Sequence, residues 1–384
     1  MTRRGFRFWL RRNDEHVAGR GTFVEPHTLE VVSATGTRRV TAERFLIAVG
    51  SRPRVPGNLA VDGIRIVTSD HIERVPELPR RLAIVGAGIV GCEYATIFAH
   101  LGQTQVELFD RQPRILPFED ADVSAVVAAR FAQIGVHVHR EAKIETVTVV
   151  GDEVEVTWND HAGELHRQRY DRVLVATGRA PSTANLGLER AGVTLDKGGG
   201  VAATDTRTAA PHVWAAGDVT PDLMLANLAE LEARHAIEDM YGLEPPPIIH
   251  EAQPAIYFLS PEVGAVGLDE QKARAQHIDY RAAVVHNALN RRNLAMRATD
   301  GFVKLLARRD GRLLGLRVVG PQAGTCIQGV ALMIGQGLTL DAIERCVHPH
   351  PAVTEGVLEA ARLLLGKSLF KPDAMPGLCH IIEG

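Results

Sequence analysis

Leu82-Ala83-Ile84-Val85 runs without interruption into Gly86-Ala87-Gly88-Ile89-Val90-Gly91, and apolar residues at helical spacing follow from Ile89 to Leu101. An apolar run this short is a buried strand, and strand, glycine turn and helix in direct succession open a βαβ unit. That segment commits the chain to an α/β fold with a parallel sheet. The first glycine permits the tight turn, the second lets a pyrophosphate approach the backbone, and the third lets helix lie against strand. Helix N–H groups then point at phosphate. In a chain with 36 glycines the pattern alone is weak, and its place between strand and helix gives it weight. A tight turn holding no ligand is the alternative.

The next strand, Gln105 to Phe109, ends at Asp110, nineteen residues beyond Gly91. An acid there accepts hydrogen bonds from the adenosine ribose and repels a 2′-phosphate, which points to NAD. Arg111 and Arg114 leave NADP open, because a guanidinium can receive that phosphate. Solvated loop charges are the equally plain reading of both.

Two segments share a pattern, Phe45 to Pro53 and Val173 to Pro181, each an apolar run ending in glycine and then proline. Both read as buried strands stopped by turns, at Gly50 and Gly178. Between them Arg81 to Tyr170 carries the nucleotide-binding unit, with β-rich segments such as Lys143 to Thr157. After them comes Val213-Trp214-Ala215-Ala216-Gly217-Asp218-Val219, and then helical spacing from Leu223 to Tyr241. Gly242-Leu243-Glu244-Pro245-Pro246-Pro247 fits neither helix interior nor central strand and marks a boundary. Beyond it, strands at Ala255 to Leu259, Phe302 to Ala307 and Leu313 to Val319 alternate with helices at Gly324 to Gln336 and Ala352 to Leu365, the pattern of a separate α+β domain. The expected boundaries are 1–60, 61–175, 176–245 and 246–384.

With 384 residues and a net charge of −3, the chain has no bulk attraction for nucleic acid or anionic membrane. The uncharged stretch between Arg317 and Asp341 is interrupted by Pro321, Gln322, Gln328 and Gln336, which suits a buried helix better than a membrane span. Thr2-Arg3-Arg4-Gly5-Phe6-Arg7-Phe8 is superficially similar to a twin-arginine signal, but Arg11 to His16 replaces the apolar stretch that must follow. A cytoplasmic protein is expected. Cys92, Cys326, Cys346 and Cys379 are too scattered for a disulfide framework or a zinc knuckle.

Val347-His348-Pro349-His350-Pro351-Ala352-Val353-Thr354-Glu355 is the strongest chemical constellation. The prolines keep the histidines out of regular helix, and Glu355 falls in the first turn of the helix that follows. A carboxylate that orients an imidazole makes it a better base near neutral pH. A metal site at His348 and His350 lacks further ligands, so no metal is expected. A structural loop histidine is the other alternative.

Taken together, Gly86 to Gly91, the strands ending at Gly50 and Gly178, and Ala216-Gly217-Asp218 resemble the flavin-dependent pyridine nucleotide-disulfide oxidoreductases, most of all their dihydrolipoyl-oxidising branch. The resemblance runs from about Gly19 to Leu369 and includes Ser260 to Leu268 and Thr299 to Lys304, which look like motifs of the family's interface domain. It implies two Rossmann-like nucleotide-binding domains, the flavin one incomplete, and a C-terminal α+β dimerisation domain. It also implies FAD and NAD as cofactors, Asp218 at the ribityl chain of FAD beside Gly217, and Glu93 near flavin and nicotinamide. Unaided, Asp218 reads as a helix cap or turn residue and Glu93 as a carboxylate favoured by a helix N-terminus. His350 and Glu355 match a dyad that moves thiol protons at the partner subunit's disulfide, which implies a homodimer and a small-molecule or lipoyl-domain disulfide substrate.

The family's opening FAD-binding strand, its glycine turn and a cysteine pair four residues apart have no counterpart here. The expectation is therefore a shortened chain, impaired in FAD binding and prone to aggregate, with Phe45 to Val49 and Val213 to Ala216 facing water. The implied activity is electron transfer between a dihydrolipoamide-like dithiol and NAD through FAD. A soluble pyridine nucleotide transhydrogenase is the rival within the family, although it usually has tyrosine where this chain has His350. A non-catalytic NAD-binding or dimerisation module is the rival outside it.

Overall fold

The computed structural model describes residues 15–384, so the arginine-rich start read above lies outside the described residues. The chain divides into two compact units. One joins the residues up to Arg52 with Arg179–Ile248, and the other joins Pro53–Gly178 with Ile249–Gly384.

In the first unit, strands Arg20–Glu25, Thr28–Ser33 and Gly36–Thr41 form an antiparallel meander. Phe45–Ile47 pairs in parallel with Val213–Ala215. The expectation that these two strands face water is wrong. Phe45 and Ile47 pack with Phe23 of the meander and with Leu188, Val193, Val201 and Val213, and Phe23 meets Phe45 edge to face at 5.0 Å between ring centroids. On the other side, Trp214 packs against Ala236 and Met240 of the helix Ala226–Met240 and donates its indole N–H to Asp239 Oδ2 at 2.7 Å. Of the expected exposed set, Ala48 and Val49 do lie open, Val49 at 46%. Burial of large apolar side chains stabilises by roughly 1.5–3 kcal/mol each, so this unit has a core of its own.

The second unit is built on a five-stranded parallel sheet in the order Ile66–Val67, Arg172–Val175, Arg81–Val85, Gln105–Phe109, Val136–His139. Helices Ile89–His100 and Ala121–Gln133 contribute to the core on one face. On the other, Val154, Val156 and Trp158 of an antiparallel meander, Lys143–Val150, Glu153–Asn159 and Leu165–Tyr170, pack on Ala83, Val85 and Phe109. This double cover is why Leu82 to Val85 contains no polar residue.

The same unit holds a six-stranded sheet, in the order Ala255–Tyr257, Val263–Gly267, Leu313–Val319, Phe302–Arg308, Tyr280–His286, Cys379–Glu383. All its pairings are antiparallel. Helices Ala323–Gly335 and Glu355–Leu364 pack on it through Ile327, Val330, Val357 and Ala361 against Leu305 and Leu316. Two cationic side chains lie inside this apolar frame, ringed by buried carboxylates. Arg317, 1% exposed, meets Glu119 at 2.8 Å and Asp269 at 3.2 Å. Lys304, also 1% exposed, meets Asp120 at 3.0 Å and both Asp122 and Glu270 at 2.6 Å. Burial opposes both positive charges, and the surrounding carboxylates outweigh it, so each cation is held more firmly protonated than in water. Glu119 to Asp122 lead into the helix Ala121–Gln133, so these pairs tie the dinucleotide fold to the six-stranded sheet. No helix among the described residues is long and apolar enough to cross a membrane.

Candidate active site

Each glycine of the turn is required by something different. Gly86 has φ of +106°, and a Cβ there would lie 2.4 Å from the carbonyl oxygen of Ala176. A Cβ on Gly91 would lie 1.8 Å from the carbonyl oxygen of Gly86, so helix and turn touch directly. At Gly88 φ is −75° and a Cβ would meet nothing within 4 Å. Neither backbone conformation nor packing explains a glycine at that position, whereas a pyrophosphate lying against the backbone does. Gly88 is also the N-cap of the helix Ile89–His100, and no side chain caps it. Its N–H groups and positive end suit an anion, so the residues present fit an adenine dinucleotide.

Asp110 closes the same turn. Its Oδ2 accepts from the Ala87 N–H at 2.6 Å and its Oδ1 from the Gln112 N–H at 2.8 Å. Each oxygen retains a lone pair for a ribose hydroxyl. Arg114 donates to the Pro117 carbonyl at 3.0 Å, while Arg111 is exposed. Glu93, one turn into the helix, accepts from the Phe258 N–H at 3.0 Å. Burial pushes its carboxyl up, and that hydrogen bond offsets only part of the shift. Gly178, with φ of +103°, turns the chain after the strand Arg172–Val175, and its carbonyl accepts from the Arg54 N–H at 2.9 Å.

The residues that the family resemblance expects at the flavin lie in the first unit. Gly217, with φ of +75°, turns the chain after Val213–Ala215 and donates its N–H to Glu232 Oε2 at 2.6 Å. Asp218 Oδ2 accepts from Ser51 Oγ at 2.7 Å and lies 3.7 Å from Arg179 Nε. Arg179 in turn donates to Ser51 Oγ at 2.6 Å. Ser51 and Arg179 follow Gly50 and Gly178, the repeated strand ends, and that repeat was the available sign of their pairing. The anchored carboxylate offers Oδ1 to a polyol hydroxyl, which fits the ribityl chain of FAD.

His350 Nδ1 lies 2.8 Å from Glu355 Oε1, and Oε2 of the same carboxylate accepts from the Ala352 N–H at 2.9 Å. A carboxylate can only accept, so the imidazole carries its proton on Nδ1 and leaves the Nε2 lone pair free to take another. Burial works to raise the Glu355 pKa, but His350 and the Ala352 N–H outweigh it and hold the carboxyl below its ordinary value. The imidazole is 56% exposed. His348 instead sits 3.3 Å from the Ile343 carbonyl, and no metal-ligating cluster among the described residues includes either histidine. The four cysteines are all free. Burial pushes the thiols of Cys92 and Cys379 up, and that of Cys326 up to about 12, so none of these three is a ready thiolate.

A strand–glycine–helix turn closed by an acid, a second glycine–aspartate strand end and a buried α+β sheet carrying a His–Glu pair define a flavin- and nicotinamide-dependent oxidoreductase. The chain belongs to the pyridine nucleotide-disulphide oxidoreductases: residues 2–233 match that family and residues 253–361 match its dimerisation domain. FAD and NAD(H) are its cofactors. It is 34% identical to a dihydrolipoyl dehydrogenase of Geobacillus stearothermophilus, over 92% of this chain and 74% of that one. It is 32% identical to the dihydrolipoyl dehydrogenase of Bacillus subtilis, over 92% and 75%. Among solved structures it is similar to LpdA of Mycobacterium tuberculosis, with a TM-score of 0.83 and 31% identity over 91% of this chain and 77% of that one. The chain thus spans about three quarters of the length of these relatives, and the expectation that it is a truncated form is not borne out by them.

Proposed function

We propose that the chain exchanges electrons between a dihydrolipoamide-like dithiol and NAD, as part of a homodimer. The observation that carries this reading is the His350–Glu355 pair, 2.8 Å apart on a loop of the domain that matches the family's dimerisation domain. Hydride transfer between two bound cofactors needs no thiol base, so a carboxylate-oriented imidazole is chemistry kept for a thiol. FAD, when bound, accepts two electrons and relays them to the nicotinamide.

The chain's own residues do the rest. Gly86, Gly88 and Gly91 cradle the pyrophosphate at the start of the helix Ile89–His100, and Asp110 holds the adenosine ribose. Gly178 shapes the turn beside them, Glu93 faces the nicotinamide end, and Gly217 and Asp218 hold the ribityl chain. His350 takes a proton from the bound dithiol on Nε2, and Glu355 keeps the resulting imidazolium in place.

The test is the purified chain supplied with FAD, dihydrolipoamide and NAD. NADH formation at 340 nm is expected. His350→Gln should lower it by about 10²–10⁴-fold, the usual worth of a general base, and leave NADH-dependent ferricyanide reduction intact. If wild-type protein reduces ferricyanide but not NAD with dithiol, the thiol reading fails and the transhydrogenase reading takes its place.

The lowered carboxyl of Glu355 also sets a pH dependence. A depressed pKa contributes stability above the ordinary carboxylate value of about 4.3, lost as the pH falls through the lowered value. Hydrogen exchange in residues 350–356 should therefore accelerate on acidification below that range. In Glu355→Gln it should already be fast at neutral pH and show no such onset.

A further inference from the structure

His350 sits on an exposed stretch between two helices, and Val347 beside it is 93% exposed. Such a segment holds a fixed imidazole only if something inside the fold grips it. The grip comes from Asn290, a residue 7% exposed that neither motif nor family match singled out. Its Oδ1 accepts from the N–H groups of Arg292 at 2.9 Å and Asn293 at 3.1 Å, capping the helix Arg291–Ala295. Those two donors fix the orientation of the carboxamide, so its NH2 must face the other way. There it donates to the carbonyls of Ala352 at 3.1 Å and Val353 at 3.4 Å. The N–H of that same Ala352 holds Glu355, the partner of His350. Behind it, the Asn290 N–H donates to the Asn287 carbonyl, and Asn287 donates its own side chain to the Asp300 and Val319 carbonyls beside the six-stranded sheet.

We propose that Asn290 is the positioning residue of the His350–Glu355 pair. Its carboxamide clamps Ala352 and Val353, so that Glu355 stays on Nδ1 and the Nε2 lone pair of His350 stays available. Asn290 touches neither thiol nor cofactor and acts only through this loop. The proposal rests on reading the pair as the thiol base, but its readout needs neither FAD nor substrate.

Asn290→Ser separates the two roles of the side chain, because serine keeps an oxygen for the helix cap and has no NH2. The measurement is the ¹⁵N spectrum of the His350 imidazole at alkaline pH, assigned by its loss in His350→Gln, with thermal unfolding recorded alongside. Wild type should show the Nδ1–H form. In Asn290→Ser the Nε2–H form should rise relative to it by about fivefold, the factor that one hydrogen bond's net worth corresponds to. Should the serine variant not fold, Asn290→Asp, which retains both acceptor contacts, is read in the same way. A merely structural asparagine would shift the melting temperature and leave the tautomer alone, and an unchanged tautomer in a folded variant overturns the proposal. A wild-type chain without the Nδ1–H form would overturn the pair itself, and the proposal with it. Failure of the dithiol assay with the tautomer result intact would remove the proposed reaction and leave Asn290 as the clamp.

Discussion

Arg317→Ala should destabilise the second unit by about 3–5 kcal/mol, the cost of leaving buried charges without their partner. The guanidinium is enclosed by Glu119 at 2.8 Å and Asp269 at 3.2 Å, and it also donates to the Val266 carbonyl at 3.0 Å and the Leu316 carbonyl at 3.1 Å. The Tyr257 hydroxyl donates to Glu119 at 2.6 Å, and burial beside that carboxylate raises its pKa, so it stays a neutral donor and supplies no positive charge. Once the arginine is gone, Glu119 is left buried with the Tyr257 hydroxyl and no cation, while Asp269 keeps Lys272 Nζ at 3.2 Å. The urea midpoint of the variant should fall steeply, and adding Glu119→Gln should recover part of the loss, because the two residues belong to one network. A change within about 0.5 kcal/mol, the range of ordinary surface substitutions, would show that water reaches the site and that the ion pairs do not join the two sheets.

The glycine turn gives the second large effect. Gly91→Ala places a methyl where the Gly86 carbonyl oxygen already sits, at 1.8 Å, so the helix must back away from the turn. Overpacking of this kind costs about 1–3 kcal/mol, and the N–H groups that face the phosphates move with the helix. Both melting temperature and NADH affinity should drop. Gly88→Ala should behave differently. Its methyl enters space with no protein atom within 4 Å, so the chain should melt at the wild-type temperature. The methyl nevertheless stands where a pyrophosphate would approach, and affinity for NADH should fall at least tenfold. Binding lost without stability lost is the signature of a glycine kept for a ligand.

Much of this architecture was legible in the residues. The strands Gln105–Phe109 and Leu313–Val319 lie at their expected bounds, and the helix starting at Ile89 ends one residue early, at His100. These segments are apolar runs or carry strong periodicity, and both are local properties. Glu355 lies in the first turn of its helix as expected, although the helix begins at Glu355 itself and not at Ala352. What escaped notice depends on residues far apart in sequence or only half buried. The Arg20–Thr41 meander gives little signal because its last strand is almost wholly exposed. Yet Phe23 from that meander, with Leu188 from a single 3-10 turn and Val193 and Val201 outside the named strands, covers the strands expected to face water. The buried pairings of Arg317 and Lys304 carry no local signal, since their partners Glu119 and Asp120 stand nearly two hundred residues earlier. Asn290 went unremarked because it caps a helix of only five residues, too short for periodicity to announce.

The central claim is that the turn from Arg81 to Asp110 binds an adenine dinucleotide through backbone that only a glycine at position 88 leaves accessible. Calorimetric titration of NADH into the purified wild-type chain and into Gly88→Ala of equal melting temperature tests it directly. The account predicts saturable one-site heat for wild type and binding at least tenfold weaker for the variant. A flat titration of the wild type, or equal affinity in the two proteins, would contradict it.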